Sequence, residues 1–226
     1  MASIQLLAEL PLQLPFISDG GQKLILLAKN KRESPAAMTT MELNNSNTVE
    51  VDGIRFETIM PERILTIPAS LQERPTLVEL GIRITNNTSN ALQFCLYDAI
   101  IPELMTPDGK ILRQESYFSD WLEAPVKSDF PIAMPGEAVS FLPGGAIWRW
   151  NDEYFQFTIA VGNGGSWLFQ LSQLGTYQLR FEYINTAKKR KVRDPDILKT
   201  KLIENIWTGV VLLPFVEFRL LRPQYN

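Results

Sequence analysis

After residue 50, apolar side chains recur at every second position along most of the chain, and this constrains the fold more than any other feature. Between Thr76 and Thr85, Val78, Leu80, Ile82 and Ile84 fall on one face, and Glu79, Gly81, Arg83 and Thr85 on the other. Successive side chains of a strand point to opposite faces, so the pattern predicts a sheet with one dry and one wet side. The same alternation recurs at Ile54 and Phe56, from Phe155 to Val161, from Tyr177 to Tyr183, and at Val216, Phe218 and Leu220. Turn signals separate the runs: Asn86 to Asn90, Pro107-Asp108-Gly109-Lys110, Pro135-Gly136 and Gly162-Asn163-Gly164-Gly165. Short amides and hydroxyls bond their own backbone in turns, and Asp-Gly supplies the positive torsions of a tight hairpin. Roughly seven to ten strands separated in this way predict a mainly β, antiparallel sandwich.

Helix is scarce. One short helix is expected over 195–204, where Asp194 can cap the first turn and Pro195 fits the first helical position. Residues 1–50 read as a separate arm, with the sandwich domain over 51–226. In the arm, Leu10, Leu12, Leu14 and Phe16 alternate at strand spacing and Lys23 to Lys29 offers a second strand, so a hairpin is expected. Pro11 and Pro15 would confine its first strand to an edge. Asn30 to Thr48 is polar and reads as a linker.

Composition narrows the function. The 226 residues carry 22 Lys and Arg against 25 Asp and Glu, a net charge of −3, which argues against nucleic acid as partner. There is no histidine, so Ser-His-Asp and Cys-His catalysis and imidazole-built zinc sites are excluded. The single cysteine, Cys95, permits neither an intrachain disulfide nor a cysteine-rich metal site. No stretch approaches the ~18 apolar residues of a membrane span. The first residues lack a basic n-region and are interrupted by Glu9, Pro11 and Pro15, so cytoplasmic residence is expected. The Asn-X-Ser/Thr matches at Asn44, Asn86 and Asn87 then read as turn residues.

Leu174-Gly175-Thr176-Tyr177-Gln178-Leu179-Arg180-Phe181 resembles the penultimate strand of bacterial immunoglobulin-like modules. The upstream LGIRITNNTSNALQF is similar to their early hairpin, and Trp207-Thr208-Gly209-Val210 with PFVEFRLL to their closing strand. The resemblance covers residues 60–221 discontinuously. It implies an immunoglobulin-like sandwich in which Tyr177 forms a tyrosine corner, its phenol bonding back to upstream backbone. The chain departs from antibody domains in lacking paired cysteines, and from compact modules in its insert at 186–203.

Two constellations stand out. Lys188, Lys189, Arg190, Lys191 and Arg193 place five cations in six residues, a contact site for an acidic protein, phosphate or membrane surface. The commoner outcome is a solvated loop balanced by Asp194, Asp196 and Glu182. Trp148 and Trp150 share one face of an extended segment and, with Trp167, could offer an aromatic platform to a sugar or a protein. Large aromatics more often end up mostly buried, and an inward-facing strand is expected here. Asp152-Glu153 and the Asp194/Asp196 pair lack catalytic or calcium spacing, and the glycine clusters read as turns, not nucleotide cradles. The leading expectation is a non-enzymatic protein–protein interaction module without cofactor, metal or catalytic residues, with self-association through the N-terminal segment as a further role. The alternative is a carbohydrate-binding module using its tryptophans. A carboxylate-based hydrolase would need a pocket holding two convergent carboxyl groups.

Overall fold

The computed structural model describes residues 47–112, 116–118, 124–151, 153–193 and 199–223. The chain divides into two compact units, Met1–Glu42 and Leu43–Asn226, and all described residues belong to the second. The expected hairpin of residues 10–29 lies outside them. The sandwich opens with the strands Thr48–Val51 and Ile54–Ile59, joined at Asp52-Gly53, where both φ angles are positive at 51° and 74°. That pair of torsions is the two-residue turn whose twist matches flanking strands. The expected boundary at residue 51 falls inside this hairpin.

Among the described residues, three larger sheets enclose one core. A four-stranded sheet runs in the order Thr48–Val51, Ile54–Ile59, Gly81–Asn86, Ala138–Phe141. A five-stranded sheet runs Thr76–Val78, Gly145–Arg149, Phe155–Ala160, Ser166–Leu171, Ser116–Phe118. The third sheet centres on the long strand Gly175–Asn185, which pairs with Ile100–Met105 on one side. On its other side lie Val216–Leu221 and then Gly209–Leu212. Ile64–Thr66 and Ile111–Leu112 form the edges, the former parallel to the closing strand. Rings meet across the layers: Phe56 against Tyr183 at 5.5 Å, and Phe157 against Phe218 at 5.9 Å. Each such fully buried aromatic contributes about 1.5–3 kcal/mol by leaving water.

The run Thr76 to Thr85 keeps its alternation while changing sheets. Val78, Leu80, Ile82 and Ile84 are all buried, yet Thr76–Val78 belongs to the five-stranded sheet and Gly81–Asn86 to the four-stranded one. Gly81 sits at the switch because a Cβ there would stand 2.0 Å from the Phe141 carbonyl oxygen. Ala138–Phe141 and Gly145–Arg149 make the same transfer on the neighbouring path, so the two sheets form one bent layer.

Two expectations need correction. The segment expected as helix over 195–204 contains the strand Thr200–Ile203, paired antiparallel with Arg190–Arg193; residues 194–198 lie outside the described ones. Ladder bonds and a buried Val192 outweigh the helix signal, since a helix this short gains little by itself. At Pro107-Asp108-Gly109-Lys110, only Gly109 has positive φ (80°). Gly109 N–H donates to the Thr106 carbonyl and Thr106 N–H to that of Lys110 (2.9 and 2.8 Å), so an extra residue in the left-handed region completes an ordinary turn. Gly162 to Gly165 repeats the bond pattern, with Gly164 at φ 84°.

Candidate functional site

The basic run, expected as a loop, is a strand of a two-stranded hairpin. Period two sorts its side chains. Val192 is 2% exposed and Arg190 is half-buried, while Lys189, Lys191 and Arg193 point outward. Lys191 stands opposite Leu202 and Arg193 opposite Thr200, so the outer face carries two cations around a leucine that is 54% exposed. Arg190 faces the body, where its Nη2 donates to both carboxylate oxygens of Asp98 at 3.1 and 3.2 Å. Lys189 forms an ion pair with Glu204. Arg193 N–H donates to the Pro125 carbonyl at 2.7 Å, tying the hairpin down. Among the described residues, Lys188, Lys191 and Arg193 have no ion-pair partner. Seven of the chain's 22 Lys and Arg lie in residues 188–204, beside three acids, so this ribbon is a positive lobe on an acidic protein.

The five-stranded sheet separates the three tryptophans. Trp148 is 45% exposed and Trp150 63%, contrary to the inward strand expected for them. The inner positions are taken by Gly145, Ile147 and Arg149, whose Nη1 donates to the Ala69 carbonyl at 2.8 Å; the intervening side chains therefore point out. Trp167 stands opposite the buried Ile159, on the inner face, and packs against the core. It is not part of the platform. The outer face is built in rows. Trp148 stands opposite Gln156, and Gln156 opposite Gln170. Leu77, Ala146, Thr158 and Leu168 make the next row, and Ala160 faces Ser166. Leu77, on the edge strand, is 75% exposed.

Sequence reasoning missed a groove of about 520 Å³ on the outer face of the third sheet. It is lined by Ile101, Ile111 and Leu212 together with Glu103, Arg180 and Glu182. Arg180 forms an ion pair with Glu103 and lies 4.2 Å from the centre of the Phe215 ring. Each strand's alternation was visible in the sequence, but the pairing that sets Arg180 opposite Glu103 was not. Two carboxylates do share this groove, with one of them held by the guanidinium.

The buried polar groups are structural in their geometry. The Cys95 thiol is enclosed, and burial pushes it up to about 11 from an ordinary 9.0, with its Sγ donating to Asp98 at 3.5 Å. Cys95 is therefore expected to resist a disulfide thiol reagent at pH 8 while the chain is folded and to react stoichiometrically in denaturant. Rapid native-state labelling would contradict this burial. Tyr177 donates its phenol to the Gln173 carbonyl at 2.7 Å, and burial raises it to about 12. Asn86, within the Asn-X-Thr match, is fully buried, with its amide nitrogen donating to the Asn90 and Ala133 carbonyls at 2.7 and 2.9 Å.

Among the described residues, no three His, Cys, Asp or Glu side chains gather as metal ligands, and no helix is long and apolar enough to cross a membrane. Comparison with known proteins finds no matching family, no similar curated protein and no similar solved structure.

Proposed function

We propose that the chain is a non-enzymatic binding module that docks an acidic surface of a protein partner on the hairpin Arg190–Ile203. The observation behind this is the sorting of charge on that hairpin. Arg190 and Lys189 are neutralised by Asp98 and Glu204, whereas Lys191 and Arg193 flank the exposed Leu202 on its outer side. Cations around an apolar side chain complement an acidic surface with one apolar knob, and such fields speed encounter more than they deepen affinity. An anionic membrane is the weaker fit, because the rest of this acidic chain would be repelled by it. Tyr177 bonding back to Gln173 at the start of the long strand supports an immunoglobulin-like reading of the sandwich. A lone free thiol suits a reducing, cytoplasmic setting. In this reading residues 1–50 are an arm for partner contact or self-association.

The test is charge reversal. Lys191→Glu with Arg193→Glu should weaken partner retention about tenfold or more, and salt should weaken the unmodified chain in the same direction. Melting temperature should stay close to that of the parent, because both side chains are exposed. Retention unchanged by the reversal would remove the hairpin from the interface.

A further inference from the structure

The outer face of the five-stranded sheet carries no ionisable side chain at any of its described in-strand positions, in a chain where 21% of residues are charged. It offers instead two exposed indoles, two primary amides, two hydroxyls and small or aliphatic residues. Trp148 within the strand and Trp150 one residue past its end are both exposed, and the backbone ladder runs on through Trp150 N–H to the Tyr154 carbonyl at 3.1 Å, so strand alternation brings the two indoles to one side. Gln156 and Gln170 continue the row from Trp148, and neither amide makes a hydrogen bond among the described residues. Each can therefore donate and accept at once.

From this we infer that the face binds a neutral glycan chain, with Trp148 and Trp150 stacking on the apolar faces of pyranose rings and Gln156 and Gln170 bonding their hydroxyls. A sugar ring presents C–H groups on its faces and hydroxyls around its rim. The face meets both, since an indole is a rigid apolar plane with a wet edge and an amide is a two-way hydrogen-bonding group. Nucleic acid does not fit, because its phosphates need cations that this face lacks. A charged polysaccharide fails for the same reason. A polypeptide partner would be expected to meet a charged rim, and the rows here stay uncharged out to the edge strand at Leu77. Rows that run from strand to strand suit a chain laid across the strands better than a small molecule, which would need a concavity.

Native gel electrophoresis through soluble neutral polysaccharides tests this, using hydroxyethylcellulose, arabinoxylan, galactomannan and dextran with the full-length chain. Retardation by at least one of them is expected, with a shift in tryptophan emission on titration. Trp148→Ala and Trp150→Ala should each weaken it about tenfold or more, and Gln156→Ala less, with unchanged melting temperatures as the check on folding. Lys191→Glu with Arg193→Glu should leave retardation intact, so this face and the hairpin succeed or fail separately. Free mobility on all four polysaccharides would overturn the proposal, as would retardation that survives both tryptophan substitutions. Loss of a protein partner in the tryptophan variants without any glycan retention would also overturn it, and would give the face to that protein.

Discussion

Tyr183→Ala should cost about 3–5 kcal/mol of folding free energy, the largest loss expected of any single substitution considered for this chain. Tyr183 is 0% exposed and stands where the layers meet, its ring against Phe56 and Trp207 at 5.5 Å in each case. Its hydroxyl also accepts the Cys95 N–H at 3.1 Å, a backbone donor buried beyond the reach of water. Alanine deletes the ring and orphans that donor together. Tyr183→Phe separates the two effects, because it keeps the ring and removes only the acceptor, for about 1–3 kcal/mol. Urea denaturation reads both as a lowered midpoint at constant slope. Since a domain has only about 5–15 kcal/mol in hand, the alanine variant should give up a large share of the chain's stability and the phenylalanine variant a smaller one. A phenylalanine variant as stable as the parent would mean that Cys95 N–H has found another acceptor.

The period-two pattern made the strands legible because it records a local fact: each strand has one face in the core. Val78, Leu80, Ile82 and Ile84 were all placed inward by that rule, and all are buried. The rule is silent on which sheet a strand joins, so the transfer at Gly81 was invisible; only the nearness of the Phe141 carbonyl exposes it. Asp52-Gly53 is a plain turn signal, masked in the sequence by the polar stretch before it, which reads as a linker. The basic run hides its strand for a different reason. Charge argues for exposure but not against a strand, and Lys or Arg on an exposed ribbon is a common guard against edge pairing. Val192 between Lys191 and Arg193 was the one sign that the segment had an inner face.

The candidate surfaces were harder to see than the fold. Alternation placed Trp148 and Trp150 on one side but could not say which, and the preference of large aromatics for burial pointed the wrong way. Arg149 decided it by taking the inner position and bonding the Ala69 carbonyl. The neutral rows through Gln156 and Gln170, and the groove through Glu103 and Arg180, depend on register between strands. Register emerges from the packing of the whole layer, so no window of one strand contains it.

Asn86→Leu is the second large effect, expected at about 2–4 kcal/mol although it keeps the number of side-chain heavy atoms and deletes no aromatic contact. The Asn86 side chain ties the turn that follows it to the strand Ile132–Ala133. Its Nδ2 donates to Asn90 and Ala133 carbonyls, and its Oδ1 accepts the Thr88 N–H and hydroxyl at 3.0 and 2.7 Å. Leucine has as many side-chain heavy atoms but makes none of these bonds, so the Thr88 N–H loses its acceptor and the Asn90 and Ala133 carbonyls each lose a donor. Aspartate tests the direction of those bonds. Asn86→Asp keeps the acceptor for Thr88 but turns the donor toward Ala133 into a carboxylate, so oxygen faces oxygen. Only the protonated acid can donate there, which raises its folded-state pKa above the unfolded value. Its stabilising contribution is then present at low pH and lost as pH rises through that folded pKa, the opposite of an ion-paired aspartate. Thermal melts of the two variants between pH 3 and pH 8 distinguish the cases. The leucine variant should run parallel to the parent at a constant deficit, while the aspartate variant should approach the parent only at the acid end. An aspartate variant that instead gained on the parent with rising pH would show that the Asn86 nitrogen is not the donor to Ala133.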